Sequence, residues 1–259
     1  MIFSWWKSNK RDLPWRHTRD PYRILISEVM LQQTQVSRVL ARYAEFIEAF
    51  PTITDLAQAS AAEVLRMWKG MGYNRRALYL KKTAVAITSE YKGKFPKDEA
   101  LLTKLPGLGT YTARALLVFA FEQDVAMVDT NIRQIITHYF YKGLPQKEKI
   151  IQETADLLLP HGKSWQWHQA LMDFGALALQ SRAKSRESKK KSVPFRDSNR
   201  FYRGKIIDAL RDKERKETEL ITDFMNRYDK PKDFLINIID GLIKDGLVSR
   251  RGKTILLPE

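Results

Sequence analysis

The feature that most limits how this chain can fold is its succession of amphipathic segments over residues 1–181. "PYRILISEVMLQQTQVSRVLARYAEFIEAF", "AAEVLRMWKGMGY", "NRRALYLKKTAVAITSEY", "DEALLTKL", "GTYTARALLVFAFE", "DTNIRQIITHYFYK" and "EKIIQETADLLLP" follow one another. Only short Pro, Gly or Asp/Ser breaks separate them. Apolar residues recurring at three- and four-residue intervals predict helices. No strand–helix alternation interrupts the pattern, which excludes a parallel α/β sheet. The predicted class is all-α.

The last 59 residues read differently. "FYRGKIIDALRD", "KETELITDFMNRY" and "PKDFLINIIDGLIKDG" predict three helices, and "LVSRRGKTILLP" predicts two short strands around Arg251-Gly252. Three helices closed by a basic hairpin resemble a winged helix. Such modules bind DNA or protein, so this pattern alone defines no role. The predicted organisation is a helical domain over 1–181, a basic linker over 182–200 and a winged-helix-like domain over 201–259. In the first ten residues of the linker, Arg182, Lys184, Arg186, Lys189, Lys190 and Lys191 stand against Glu187 alone. A solvated connection and a strip along a nucleic-acid backbone both fit that composition.

Lys and Arg total 45 against 30 Asp and Glu, a formal charge of +15. That excess points to a polyanionic partner, nucleic acid first. There is no cysteine, which excludes disulfides, thiolate metal sites and cysteine nucleophiles together. His17, His138, His161 and His168 show no metal-ligand spacing, so neither a metal nor another cofactor is expected. No uninterrupted apolar run approaches 18 residues, and the N-terminus lacks a secretory pattern. The expected setting is cytoplasmic, at the nucleoid, as a monomer with no membrane partner.

Three local patterns carry chemistry. In "ILISEVMLQQTQ", Ile24, Leu25 and Leu31 share a helix face with Glu28 at spacings of four and three. A carboxyl group on such a stripe is either a buried structural partner or an acid with a raised pKa. In "LTKLPGLGTYTARALLVFAF", Pro106 stops one helix, Gly107 and Gly109 permit a tight turn, and a second helix begins at about Thr110. Its exposed N–H groups suit a phosphate. This resembles the helix-hairpin-helix motif, which grips DNA backbone without reading sequence; a Pro-Gly turn between two structural helices also fits. Eighteen residues after Tyr111, "AMVDTNIRQII" places Asp129 ahead of another helix. A helix N-cap and a carboxylate at a cleft mouth both fit it.

Together these motifs resemble the helix-hairpin-helix (HhH-GPD) DNA glycosylase superfamily of base-excision repair. The resemblance covers residues 5–181. "LPWRHTRDPYRILISEVMLQQTQV", "GMGYNRRA", "LPGLGTYTARA", "VDTNIRQI" and "LMDFGAL" are most similar to MutY-type adenine glycosylases. "PWRHTRDPY", "AMVDTN" and "LMDF" are also similar to archaeal thymine mismatch glycosylases.

The resemblance implies a fold of two helical subdomains. One spans about 21–125; the other joins the N-terminal helix to about 126–181. It implies double-stranded DNA with a mismatched or damaged pair as partner, and a target nucleotide flipped from the duplex. Glu28 matches the family's general acid, which protonates the departing purine at N7, and Asp129 the carboxylate that stabilises the cationic sugar. Asn131 matches a residue that orients these carboxylates. Tyr111 stands where relatives with lyase activity carry a Schiff-base lysine, which implies a monofunctional enzyme. Gln33 matches a wedge into the gap left by the flipped base, with Gln32 beside it, and Tyr73 an aromatic inserted beside the orphaned base. Pro106, Gly107 and Gly109 match the backbone grip. Arg16 and Asp173 match positions lining the adenine pocket.

Two departures stand out. MutY-like enzymes carry four cysteines for a [4Fe–4S] cluster after the "LMDFGAL" helix, and this chain has none. They also end in a domain resembling nucleotide hydrolases, which residues 201–259 are too short to form. The implied activity is excision of adenine opposite guanine or 8-oxoguanine. A thymine/uracil mismatch glycosylase and a non-catalytic DNA-binding protein are the alternatives.

Overall fold

The computed structural model describes residues 1–179 and 194–259. Most of the basic run at 182–200 therefore lies outside the described residues. Two compact units form, one from residues 1–29 and 95 onward, the other from 30–94 and the C-terminal segment.

The first unit holds α1 (Ile2–Asn9), most of α2 (Pro21–Leu31), α7 (Glu99–Lys104), α8 (Thr110–Phe119), α9 (Thr130–Phe140), α10 (Glu148–Leu158) and α11 (Ser164–Phe174). A π-helical turn, Gly175–Leu179, extends α11. Ile132, Ile135 and Ile136 fall at helical spacing on α9 and pack with Ile151 and Ala155 of α10 and Leu171 of α11. Each such Ile or Leu side chain contributes roughly 1.5–3 kcal/mol by leaving water. α1 docks on α11 through aromatic edges: Trp5 meets Phe174 at 5.1 Å between ring centroids and Phe3 meets Trp167 at 5.9 Å.

The second unit contains α3 (Val36–Ala49), α4 (Ile53–Gln58), α5 (Ala61–Met67) and α6 (Arg75–Tyr91). Thr52 with Asp55, and Ser60 with Glu63, form reciprocal capping boxes that start α4 and α5. Phe46, fully buried, lies edge-on to Phe50 and Trp68. The apolar run from Pro21 to Phe50 reads as one stretch in the sequence but divides here into α2 and α3. Gln33 takes a left-handed backbone (φ 53°), which ends the helix although glutamine favours helices.

The C-terminal segment adds α12 (Asn199–Leu210), α13 (Glu217–Tyr228) and α14 (Lys232–Lys244), with β1 (Arg215–Lys216), β2 (Ser249–Arg251) and β3 (Thr254–Leu256). The antiparallel sheet runs β1-β3-β2, with Arg215 and Arg250 both opposite Ile255. Helix, strand, two helices and a hairpin, in that order, make a winged helix. The sequence pattern predicts two strands; β1 is the third. A two-residue Arg-Lys strand carries no apolar alternation by which to find it.

Candidate active site

Glu28 sits in the third turn of α2, 5% exposed, among buried Ile24, Leu25, Ile26 and Val29. That apolar wall desolvates the carboxyl group and pushes its pKa from 4.5 up to about 7. The Tyr111 hydroxyl hydrogen-bonds Glu28 and favours the charged form without overcoming burial; the nearby Asp129 charge adds to the upward push and Arg16 opposes it. Tyr111 occupies the first turn of α8, half-buried. Burial and the two carboxylates hold its phenol well above its ordinary pKa, so it stays a donor.

Asp129 takes the capping role left open by its spacing. It is the N-cap of α9, accepting the Ile132 N–H at 2.7 Å, and it also accepts Asn131 Nδ2–H at 2.8 Å. Burial raises its pKa, while these hydrogen bonds pull the other way. The extended segment leading to Asp129 is pinned on both sides. Ala126 O accepts from Arg114 Nη1 (3.1 Å) and Gln152 Nε2 (3.0 Å). The Met127 N–H donates to His168 Nε2 at 3.0 Å, and His168 Nδ1–H donates to Ser164 O at 2.6 Å. A backbone N–H only donates and a carbonyl only accepts, so this imidazole is neutral with its proton on Nδ1. Burial, its largest influence, lowers the His168 pKa to about 4.

Gly175 explains how Asn131 reaches its position. A Cβ on Gly175 would stand 2.5 Å from Asn131 Cβ and 3.1 Å from its Cα. Only glycine allows the end of α11 to approach the start of α9 this closely. Neither His168 nor Gly175 is marked as a site residue in the sequence. Gly175 lies within the "LMDFGAL" run, but its partner is 44 positions away.

Arg16 and Asp173 are bound to each other. Asp173 is fully buried and accepts from Arg16 Nη1 and Nη2, both at 2.8 Å, in a two-pronged pair. It also accepts from Trp6 Nε1 (2.9 Å), the Arg11 N–H (3.1 Å) and Arg11 Nε (2.5 Å). Burial alone would raise its pKa; Arg16 and then Arg11 overcome that and hold it below the usual value.

Pro106 and Gly107 (φ 79°) occupy the central positions of a turn closed by the Leu108 N–H to Leu105 O at 3.2 Å. Gly109 is the N-cap of α8 with open space where a side chain would be. No acidic residue lies in the first turn of α8. An anion can therefore approach the helix N-terminus. One short helix thus carries both the candidate phosphate grip and Tyr111.

Within the second unit, Gln32, Gln33 and Tyr73 lie on two loops joined by one side chain. Arg76 donates from Nη1 to Met30 O (3.0 Å) and Gln32 O (2.6 Å). Its Nη2 donates to Thr34 Oγ1 (3.0 Å), Met71 O (3.1 Å) and Gly72 O (3.2 Å). Its guanidinium also lies over the rings of Trp68 and Tyr73. Tyr73 projects from the loop before α6 with a left-handed backbone (φ 45°) and 38% exposure. Arg76 is a positioning residue absent from the sequence-based set. In "GMGYNRRA" nothing separates it from Arg75; the helix turns one inward and the other out.

Residues 26–161 match the family described as the HhH-GPD superfamily base excision DNA repair protein. The adenine DNA glycosylase of Mycolicibacterium smegmatis is 35% identical over 270 residues, covering 96% of this chain and 92% of that protein. The thymine/uracil-DNA glycosylase of Methanothermobacter thermautotrophicus is 37% identical over 180 residues, covering 68% of this chain and 81% of that protein. A solved thermostable thymine-DNA glycosylase superposes with a TM-score of 0.64 at 37% identity, covering 68% of this chain and 83% of that one. A trapped endonuclease III–DNA covalent intermediate shares the fold, with a TM-score of 0.61 at 21% identity, over 75% of this chain and 89% of that one. The chain has no cysteine and cannot supply thiolate ligands to an iron–sulfur cluster. The fold, the turn before α8 and the sequence match agree: the chain belongs to the HhH-GPD superfamily of base excision DNA repair proteins.

Proposed function

We propose that the chain is a monofunctional DNA N-glycosylase that hydrolyses the bond between deoxyribose and an adenine mispaired with guanine or 8-oxoguanine. The observation that carries this reading is Glu28, a carboxyl group on a dry apolar wall with its pKa near 7, beside a second carboxylate, Asp129. Adenine is a poor leaving group as an anion and a good one once protonated. Glu28 is the acid that delivers the proton to N7 as the bond to C1′ lengthens. Asp129, aimed by Asn131 and by its place at the α9 N-cap, faces the positive charge that develops on the sugar. A water molecule then adds to C1′. This leaves an abasic site and free adenine, and the water's proton passes to a carboxylate.

Tyr111 has no amine with which to form a Schiff base, so the strand stays intact. The Arg16–Asp173 pair sets the wall of the base pocket. Gln33 and Gln32 fill the vacated space in the duplex, Tyr73 enters beside the orphaned base, and the turn at Pro106–Gly109 holds backbone phosphate. The 37% identity to a thymine/uracil-DNA glycosylase favours a second reading, excision of T or U opposite G.

One assay separates the two. Labelled duplexes carrying A:8-oxoG, A:G, T:G and U:G are incubated with enzyme and split, with and without hot alkali. The expected result is alkali-dependent cleavage of the adenine strand in the first two duplexes. Cleavage confined to T:G and U:G would establish the second reading. Breaks without alkali would remove the monofunctional assignment.

A further inference from the structure

A winged helix that reads DNA by itself uses its third helix and its wing, and both are poorly suited to that here. The exposed side of α14 carries Lys232, Asp233, Asn237, Asp240 and Lys244, two lysines against two aspartates. The wing arginines are already paired. Arg250 Nη2 donates to Glu217 Oε1 (2.7 Å) and Asp240 Oδ1 (2.8 Å). Arg251 donates to Glu214 Oε2 (2.7 Å).

The wing keeps one further exposed cation, Lys253, while α12 carries Arg200, Arg203 and Lys205, of which Arg200 meets the loop of Tyr73. The Arg200 guanidinium stacks over the Tyr73 ring, 4.4 Å from its centroid, and donates to the Tyr73 hydroxyl. Phe195 lies 5.0 Å from the same guanidinium. Tyr73 is thus held by two guanidinium groups, Arg76 and Arg200. Around them runs a groove of about 660 Å³, lined by Gln32, Gln33 and by the exposed Arg38, Arg75, Arg200 and Lys205. Asp208 is the acid on its lining and pairs with Arg211 at 3.0 Å; Asp245 pairs with Arg203 and, at 3.8 Å, with Arg75.

We propose that the winged-helix module takes part in reading the mispair through α12: Arg200 clamps Tyr73 and, with Arg38, Arg75 and Lys205, receives the phosphate backbone of the strand that keeps the orphaned base. The inference rests on Tyr73 entering the stack beside that base. Arg38, Arg200 and Lys205, exposed and in no ion pair with an acid among the described residues, with Arg75 shared with Asp245, match a polyanion around one aromatic finger, and a planar guanidinium can stack on the phenol ring while its remaining N–H groups meet phosphate. The C-terminal module thereby supplies a grip that the helix-hairpin-helix alone does not.

The test measures binding of the full chain to a duplex with a stable abasic analogue opposite guanine, across a salt series. Binding to that duplex requires no excision, so a wrong assignment of the excised base leaves this test intact. Arg200→Ala is expected to weaken binding about tenfold and to lower the salt slope by about 1, with the melting temperature unchanged because the side chain is exposed. Arg200→Lys should restore the slope but not the affinity, since an ammonium cannot stack as the guanidinium does. Adding Tyr73→Ala to Arg200→Ala should cost little beyond the worse single change. Arg250→Ala, on the wing, should bind within about twofold of the parent protein. Equal binding by Arg200→Ala and the parent, or a larger loss in Arg250→Ala than in Arg200→Ala, would overturn the proposal.

Discussion

Replacing Glu28 with Gln is expected to slow base release by about 10²–10⁴-fold while duplex binding survives. The amide keeps the shape of the side chain and its contact with Tyr111 but has no proton to give. Single-turnover release and abasic-duplex affinity, measured side by side, check both halves. Release within a few-fold of the parent protein would remove Glu28 as the acid.

The same substitution has a second expected consequence, in stability. The folded-state pKa of Glu28 lies above its ordinary value, from 4.5 to about 7. As pH rises through that window the unfolded chain gives up a proton that the folded chain retains. Stability therefore falls across the window and levels off above it. A carboxyl group buried with its pKa raised in this way thus weakens the fold at neutral pH by ~3 kcal/mol relative to an ordinary one. Gln does not titrate, so the stability of Glu28→Gln relative to the parent should grow by about that amount between pH 4.5 and pH 8. Urea unfolding at the two pH values reads it directly, and a pH-independent difference would contradict the account.

Asp173→Asn carries the largest expected loss of stability, about 3–5 kcal/mol. Asp173 is fully buried and is the counter-charge of Arg16, itself only 8% exposed. An amide would leave that guanidinium buried beside a group with no charge. It would also turn an –NH₂ towards donors that now point at a carboxylate oxygen, either Arg11 Nε and Arg16 Nη2 or Trp6 Nε1 and Arg16 Nη1. The pH dependence follows from the lowered pKa of Asp173. Its contribution is complete above the ordinary carboxylate value and is lost as pH falls through the depressed one. Urea midpoints of the variant and the parent at neutral pH supply the comparison. A loss below about 1 kcal/mol would mean the pair contributes little.

The sequence exposes this protein unevenly. Glu28 is visible because a charged residue on an apolar helix stripe breaks a pattern, and Asp129 because an N-cap position has few tenants. The turn before α8 is visible because Pro and Gly restrict backbone geometry by themselves. What stays hidden depends on contacts distant along the chain. Arg200 meets Tyr73 across 127 positions, and His168 meets Met127 across 41. Gly175 and Asn131 touch only because two helix ends converge. The break at Gln33 is hidden for another reason: the glutamines around it suit a helix, and the turn is imposed by Arg76, which holds the carbonyls at the end of α2.

The proposed chemistry requires Glu28 to hold a proton near neutrality. The direct measurement is the carboxyl ¹³C titration of the folded protein, with the Glu28 signal assigned by its loss in Glu28→Gln. A midpoint near 7, matched by a single-turnover rate that falls through the same pH, is the predicted result. A midpoint near 4.5, or a rate that stays level through pH 7, would contradict it.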